Sequence, residues 1–135
     1  MEKLIWDENF SVDVAIVDEQ HKVLFDIINE LIDANRIKVD SEKLSDIVIK
    51  IANYAQYHFQ TEEQFMVDHN YADSTTHKGQ HEEFIYKTST FCTEIALHEE
   101  GVPIKILSYL INWLTAHILK TDMKMKPFYK EIGLK

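Results

Sequence analysis

An all-α fold is predicted, an up-down-up-down antiparallel four-helix bundle with an extended N-terminal arm, and three observations predict it. The 135-residue chain has only three glycines and two prolines, too little punctuation for a sandwich or barrel of many short strands. Four stretches carry apolar residues at the i, i+3, i+4 spacing of an amphipathic helix. The connections between them are short, which makes consecutive helices antiparallel neighbours. With 45% hydrophobic residues, a chain of this length buries a core as one domain without cross-links. We divide it into an arm (1–17), a bundle (18–125) and a C-terminal tail (126–135).

The arm has no sustained helical period and is rich in aromatic and β-branched residues, so it is expected to lie extended and to pack Trp6, Phe10 and Val14 onto the body. The first helix opens near Asp18, read as its N-cap, and runs to about Asn35 with His21, Leu24, Phe25, Ile28, Leu31 and Ile32 inward. The second opens at Asp40 or Ser41 and ends by about Asn70, with Leu44, Ile47, Val48, Ile51, Ala55, His58, Glu62 and Phe65 on one face. A third starts around Ser74 or Thr75, carries His77, His81, Phe84, Ile85, Phe91, Cys92 and Ile95, and stops at Gly101. Pro103, tolerated in a first turn, opens the fourth, whose stripe is Ile104, Leu107, Leu110, Ile111, Leu114, His117, Ile118 and Thr121.

Charge narrows the partners. A formal net charge of −9 repels phosphate-rich surfaces, and no Lys/Arg stripe opposes that field. Lys120, Lys124, Lys126 and Lys130 are the one basic concentration, expected to be solvated charges favoured near a helix C-terminus. The single cysteine, Cys92, excludes an internal disulfide and is read as a small core residue. The start of the chain lacks the basic then apolar pattern of a signal peptide, and the richest apolar run, Ile104 to Leu114, is interrupted by Lys105, Ser108 and Asn112. No membrane span and a cytoplasmic location are the expectations.

A bundle core is normally aliphatic and aromatic, so polar groups on inward stripes need a reason. Here all four stripes carry them: His21; His58 and Glu62; His77 and His81; His117 with Asp122 nearby. One inward histidine is ordinarily a hydrogen-bonded core residue. Five of them with two carboxylates would cost several kcal/mol to bury unless something satisfies them, and divalent metal does so while balancing the carboxylate charge. Residues four apart on a helix are neighbours, so His77 with His81, and His58 with Glu62, can each serve one site. His117 and Asp122 are five apart, which demands an irregularity in the last turns. Seven donors exceed one tetrahedral zinc, and a nitrogen-rich set with two carboxylates able to bridge points to two ions of the iron or manganese kind. His69 and His98 fall outside the pattern and are read as surface residues.

The arm with Trp6 leading into Val17-Asp18-Glu19-Gln20-His21, then His58-Phe59-Gln60-Thr61-Glu62-Glu63, His77-Lys78-Gly79-Gln80-His81 with Phe84, and Trp113-Leu114-Thr115-Ala116-His117-Ile118 with Asp122, resembles the hemerythrins, especially the bacterial ones. The resemblance spans nearly the whole chain. It implies two non-haem irons, one on His77, His81 and His117, the other on His21 and His58. Glu62 and Asp122 would bridge them together with an oxo or hydroxo group, and the iron with two histidines would keep an open position for dioxygen. Phe25, Leu110, Trp113 and Leu114 would wall that position. Ala15, where the family often has glycine before the first ligand, and Ala72, where proline often follows the tyrosine matching Tyr71, depart from the family pattern in loop positions and not among the ligands.

The resemblance implies reversible dioxygen binding, for carriage, storage or delivery, without enzyme activity. The rival enzyme, a di-iron oxidase of the ferritin-like kind, uses four carboxylates and Glu-x-x-His pairs, and this chain contains no Glu-x-x-His. A sensing or iron-handling module is the other alternative. Dioxygen is the expected partner, and an oxidase or other recipient protein and the oligomeric state stay open.

Overall fold

The computed structural model describes residues 2–98 and 100–135, and its first helix begins a turn earlier than the capping pattern suggests. Helix α1 spans Ala15–Arg36 with Val14 at its N-cap. Asp18 is therefore not the cap. Its carboxylate turns back to the arm, accepting from Ser11 Oγ at 2.6 Å and from Val12 N–H at 3.0 Å. The arm is extended apart from one 3-10 turn, Glu8–Phe10, capped by Asp7. Asn29 holds it on α1 through a reciprocal pair, accepting from Leu4 N–H at 2.7 Å and donating to Leu4 O at 2.9 Å. Trp6 and Phe10 pack on the main core, and Val14 is buried.

Helix α2 spans Ser41–Asp68, with Asp40 accepting from Lys43 N–H as its cap. Helix α3 spans Ser74–Ala96 and stops short of Gly101, because His98 already takes a left-handed turn at φ 55°. Gly101, at φ 76°, is instead the N-cap of α4, Val102–Ala116, with Pro103 in the first turn. Each helix packs against its two sequence or ring neighbours: α1 on α2 and α4, α3 on α2 and α4. No strand occurs among the described residues, and the all-α four-helix bundle stands as predicted.

Most of the inward stripes are buried as the period requires, but Phe65, Ile85, Cys92, Ile111 and Thr121 are only partly buried, with Met66 buried beside Phe65 on α2, and α4 shows an exchange. Ile104 is 52% exposed and Ile106 is fully buried in its place. Position 106 lies four residues before Leu110 and eight before Leu114, the true line of the face. By length and composition alone the continuous helical stretch Val102–Glu131 could cross a bilayer. Here its Ile106, Leu107, Leu110, Leu114 and Ile118 belong to the bundle core.

The residues read as a tail are ordered. After α4 the chain makes a π-helical turn, His117–Thr121, a 3-10 turn, Asp122–Lys124, and a short helix α5, Met125–Glu131. Met125 and Tyr129 join Val12, Val14, Val17 and Met66 in a second buried cluster that closes the end of the bundle next to the polar site.

Candidate metal centre

Seven polar side chains meet in the core. His21 comes from α1, His58 and Glu62 from α2, His77 and His81 from α3, and His117 and Asp122 from the π-helical turn and its end; all seven are at most 3% exposed. On α2 and α3 the i, i+4 spacing does the aiming. After α4 the aiming is different. In a regular helix five residues advance the direction by about 500°, which would turn Asp122 away from His117. The π-helical turn between them carries the extra residue, and Asp122 Oδ1 lies 3.1 Å from His117 Nε2. The irregularity that the spacing demands is thus present.

The two carboxylates organise the donors into halves. Glu62 turns Oε2 toward His21 Nε2 (3.5 Å) and His58 Nε2 (3.2 Å), and Oε1 toward His77 Nε2 (3.5 Å) and His81 Nε2 (3.2 Å). Asp122 does the same, with Oδ2 3.1 Å from His21 Nε2 and Oδ1 2.9 Å from His77 Nε2. Two sets of mutually close donors result: Glu62, His77, His81, His117 and Asp122; and His21, His58, Glu62 and Asp122.

These groups fit cations better than each other. Both oxygens of Glu62 and of Asp122 and Nε2 of His21, His58 and His77 are buried without a hydrogen-bond partner, a costly arrangement for a core. His58 Nδ1–H donates to Gln20 Oε1 (2.7 Å), His81 Nδ1–H to Glu63 Oε2 (2.9 Å) and His117 Nδ1–H to Gln80 Oε1 (2.8 Å). Those partners place each proton on Nδ1 and leave the Nε2 lone pairs facing inward, the tautomer of a metal ligand. His81 Nε2 and His117 Nε2 then face each other at 3.1 Å, two lone pairs with no proton between them. Donors about 2.1 Å from one ion and at right angles to each other lie about 3 Å apart, so a shared cation removes the conflict.

The charges are tightly coupled. Burial alone would raise the carboxyl of Glu62, but His58, His21 and His77 outweigh it and hold it well below the usual range; Asp122 is held down in the same way by His117 and His21. Burial alone would lower His21 and His77, yet the Asp122 and Glu62 carboxylates hold both up at about 9. His58 is lowered, because burial there prevails over Glu62.

Aromatic rings wall both sides. On the two-histidine side Trp6 lies 6.4 Å from His21 and 5.6 Å from Phe25, with Phe10 5.0 Å from Phe25. Phe25, Leu110 and Leu114 are buried as expected. Trp113 is not on that side: it stacks on His117 at 4.4 Å and 10°, against the three-histidine half. Phe59 stacks on His81 at 3.8 Å and 6°. His69 is exposed at the end of α2, and His98, also exposed, meets Ser41 Oγ at 2.9 Å. Burial pushes the Cys92 thiol up, away from reactivity.

The supporting residues Gln20, Glu63 and Gln80, and the covering Trp6, are the parts of the site that the stripes do not reveal. Each polar supporter is adjacent in sequence to one of the seven inward donors, His21, Glu62 or His81, so it points about 100° off the inward line and reaches a ring on another helix. A nearly buried glutamine, Gln20 at 4% exposure, is a signal only once burial is known.

A four-helix bundle with five imidazoles and two carboxylates converging in its core has a donor set able to hold cations. The family model described as the hemerythrin HHE cation binding domain matches residues 12–129, and the chain belongs to the hemerythrin family. It is 32% identical over 123 residues to a bacteriohemerythrin of Clostridium acetobutylicum, covering 87% of this chain and 95% of that one. A hemerythrin-like protein of Naegleria gruberi is 34% identical over 121 residues, covering 90% and 89%. A crystal structure of a wild-type hemerythrin superposes with a TM-score of 0.84 at 26% identity, covering 93% of this chain and 97% of that chain.

Proposed function

We propose that this protein binds dioxygen reversibly at a pair of non-haem irons, as a carrier, store or delivery protein rather than an enzyme. The observation that carries the reading is the division of each carboxylate: one oxygen of Glu62 and one of Asp122 face His21, and the other oxygen of each faces His77. A carboxylate placed in this way could offer one oxygen to a cation in each half. In the proposed assignment His77, His81 and His117 would hold one iron and His21 and His58 the other, with Glu62 and Asp122 available to both. Five protein donors then serve the first half and four the second, so the second is where a small exogenous ligand fits. A ferrous pair held there would supply the two electrons on which reversible dioxygen binding draws.

The chain's own residues do the rest. Gln20, Gln80 and Glu63 orient His58, His117 and His81. Trp6, Phe10 and Phe25 cover the two-histidine side and keep water from it, which slows irreversible oxidation. Nitrogen-rich donation leaves less negative charge to stabilise highly oxidised iron than a four-carboxylate site would, in keeping with binding rather than oxygenation.

The test is metal content and the visible spectrum of the purified protein. About two irons per chain are expected from a donor set this large. Reduced anaerobically the protein should be nearly colourless, gain absorption in air, and lose it again when oxygen is removed without added reductant. One zinc per chain from iron-replete cells would overturn the di-iron reading; rapid oxygen consumption with a reductant and an organic substrate would favour an oxidase.

A further inference from the structure

Three of the five site imidazoles have a side-chain acceptor behind them, and the acceptors differ in charge. Behind His58 and His117 stand the neutral amide oxygens of Gln20 and Gln80; behind His81 stands the carboxylate of Glu63, at 2.9 Å. Packing does not force Glu63 into that place. Its side chain is 25% exposed and lines an open groove of about 490 Å³ between α2 and α3, shared with Gln56, Phe59, Gln60 and Tyr86. Nor is a carboxylate needed to fix the ring, because Phe59 already clamps His81 face to face at 3.8 Å. The charge is the feature that orientation leaves unexplained.

We propose that Glu63 is a positioning residue that acts through His81 to set the electron-donating strength of the three-histidine half. The inference rests on the di-iron reading above. A histidine whose Nδ1–H donates to a carboxylate is a more basic ligand at Nε2 than one donating to an amide. Extra negative charge behind the ligand favours the more oxidised, more positive metal. The three-histidine half then holds the ion that is harder to reduce. Each half has one amide-backed ring, His58 or His117, and one ring whose Nδ1 has no partner, His21 or His77; only the three-histidine half has a carboxylate-backed ring, so the two-histidine half holds the ion easier to reduce. The chain thereby builds a redox difference between its halves beyond the difference in ligand count.

The chain itself supplies the control, since glutamine is what it uses behind the other two imidazoles. In Glu63→Gln the hydrogen bond survives and the charge goes. Iron per chain and the midpoint potentials of the iron-loaded protein, followed by spectroelectrochemical titration, are the measurements. Glu63→Gln should keep its iron while one reduction step moves to a more positive potential. Gln80→Glu, which adds the charge behind His117, should move a step the other way. Glu63→Ala, losing charge and hydrogen bond together, should weaken metal binding by about 10- to 100-fold. Full iron in Glu63→Gln with unmoved potentials would overturn the proposal. Should Glu63→Gln lose iron, unmoved potentials in Gln80→Glu would overturn it as well. A parent chain without an iron pair is told apart by the iron assay alone, and overturns the di-iron reading instead.

Discussion

His117 Nε2 and Asp122 Oδ1 are 3.1 Å apart although five residues separate them, and the π-helical turn His117–Thr121 is what brings them together. The register is therefore part of the site. Asp122→Ala should lose most of its metal, since it removes the oxygens facing both halves. Adding Thr121→Asp to that variant places a carboxylate at the ordinary i+4 position, which the widened turn no longer aims inward. Metal content should not recover. Recovery to the parent level in the double variant would show that the turn does not set the register.

Metal that binds the folded chain alone stabilises it by mass action. At a free concentration a hundred times the dissociation constant the gain is about 2.7 kcal/mol, which in a domain of this size moves the melting temperature by on the order of 10 °C. Chelated protein should melt lower by that order or more, because the buried oxygens of Glu62 and Asp122 lose their counter-charge. His77→Ala should reproduce much of the loss without chelator. Calorimetry with and without metal decides, and coincident melting curves would count against an inward metal site.

The features legible in the sequence are those written as period. The seven polar residues stood out because each interrupts or flanks an apolar stripe, and the structure gathers all seven at one place. What was not legible depends on how elements meet. Asp18 looks like a helix cap, yet it serves the arm's Ser11 and Val12; only the arm's path shows that. Trp113 lies one turn before His117 and could face either half; packing against Phe84 at 4.5 Å and His117 sets it on the three-histidine side. Gln20 and Gln80 act across helices, so spacing along one helix cannot find them. Residues 126–135 are short and lysine-rich and read as a tail, whereas Tyr129, buried, with Phe128, Ile132 and Leu134 packed around it, ties them to the end of the bundle.

In chelated protein the proton takes the place of the cation, and stability becomes sensitive to pH. His21 and His77, held up at about 9, contribute stability that is complete below the unfolded value near 6.5 and is lost as pH rises through 9. Glu62 and Asp122, held low, contribute above the unfolded carboxylate range and lose it as pH falls. His58, lowered by burial, opposes the first effect below about 6.5. Denaturant midpoints of chelated protein should therefore fall between pH 6.5 and 9, while the iron-loaded protein stays level there. A chelated protein equally stable at both ends would contradict this coupling.

Tyr129 is 1% exposed between the arm and α2, and among the described residues its hydroxyl's hydrogen-bond contact is Met125 Sδ, at 3.6 Å. That contact is weak for a hydrogen bond, so the ring supplies the stabilisation. Tyr129→Phe should cost under about 1 kcal/mol and Tyr129→Ala about 3–5 kcal/mol, the usual range for a buried aromatic. Because the ring closes the end of the bundle beside Asp122, Tyr129→Ala should also release iron faster to a chelator. Equal stability of the two variants would mean that the hydroxyl, not the ring, matters.

The two walls of the site should respond differently to substitution. Leu114 is 3% exposed and one turn before Ile118 in the bundle core, and we place it with Phe25 beside the two-histidine half. On the proposed reading a polar residue there, as in Leu114→Asn, admits water to the two-histidine side and should speed autoxidation by about tenfold, a barrier change near 1.4 kcal/mol. Trp113 lies on the face of His117, away from that side. Trp113→Leu removes a stacked pair that contributes about 0.5–1.5 kcal/mol beyond its buried area, so it should lower the melting temperature and loosen the three-histidine half without a comparable change in autoxidation. Stopped-flow autoxidation and thermal melts on both variants separate the effects. If Trp113→Leu autoxidises as fast as Leu114→Asn while its melting temperature is unchanged, the assignment of the two walls is reversed.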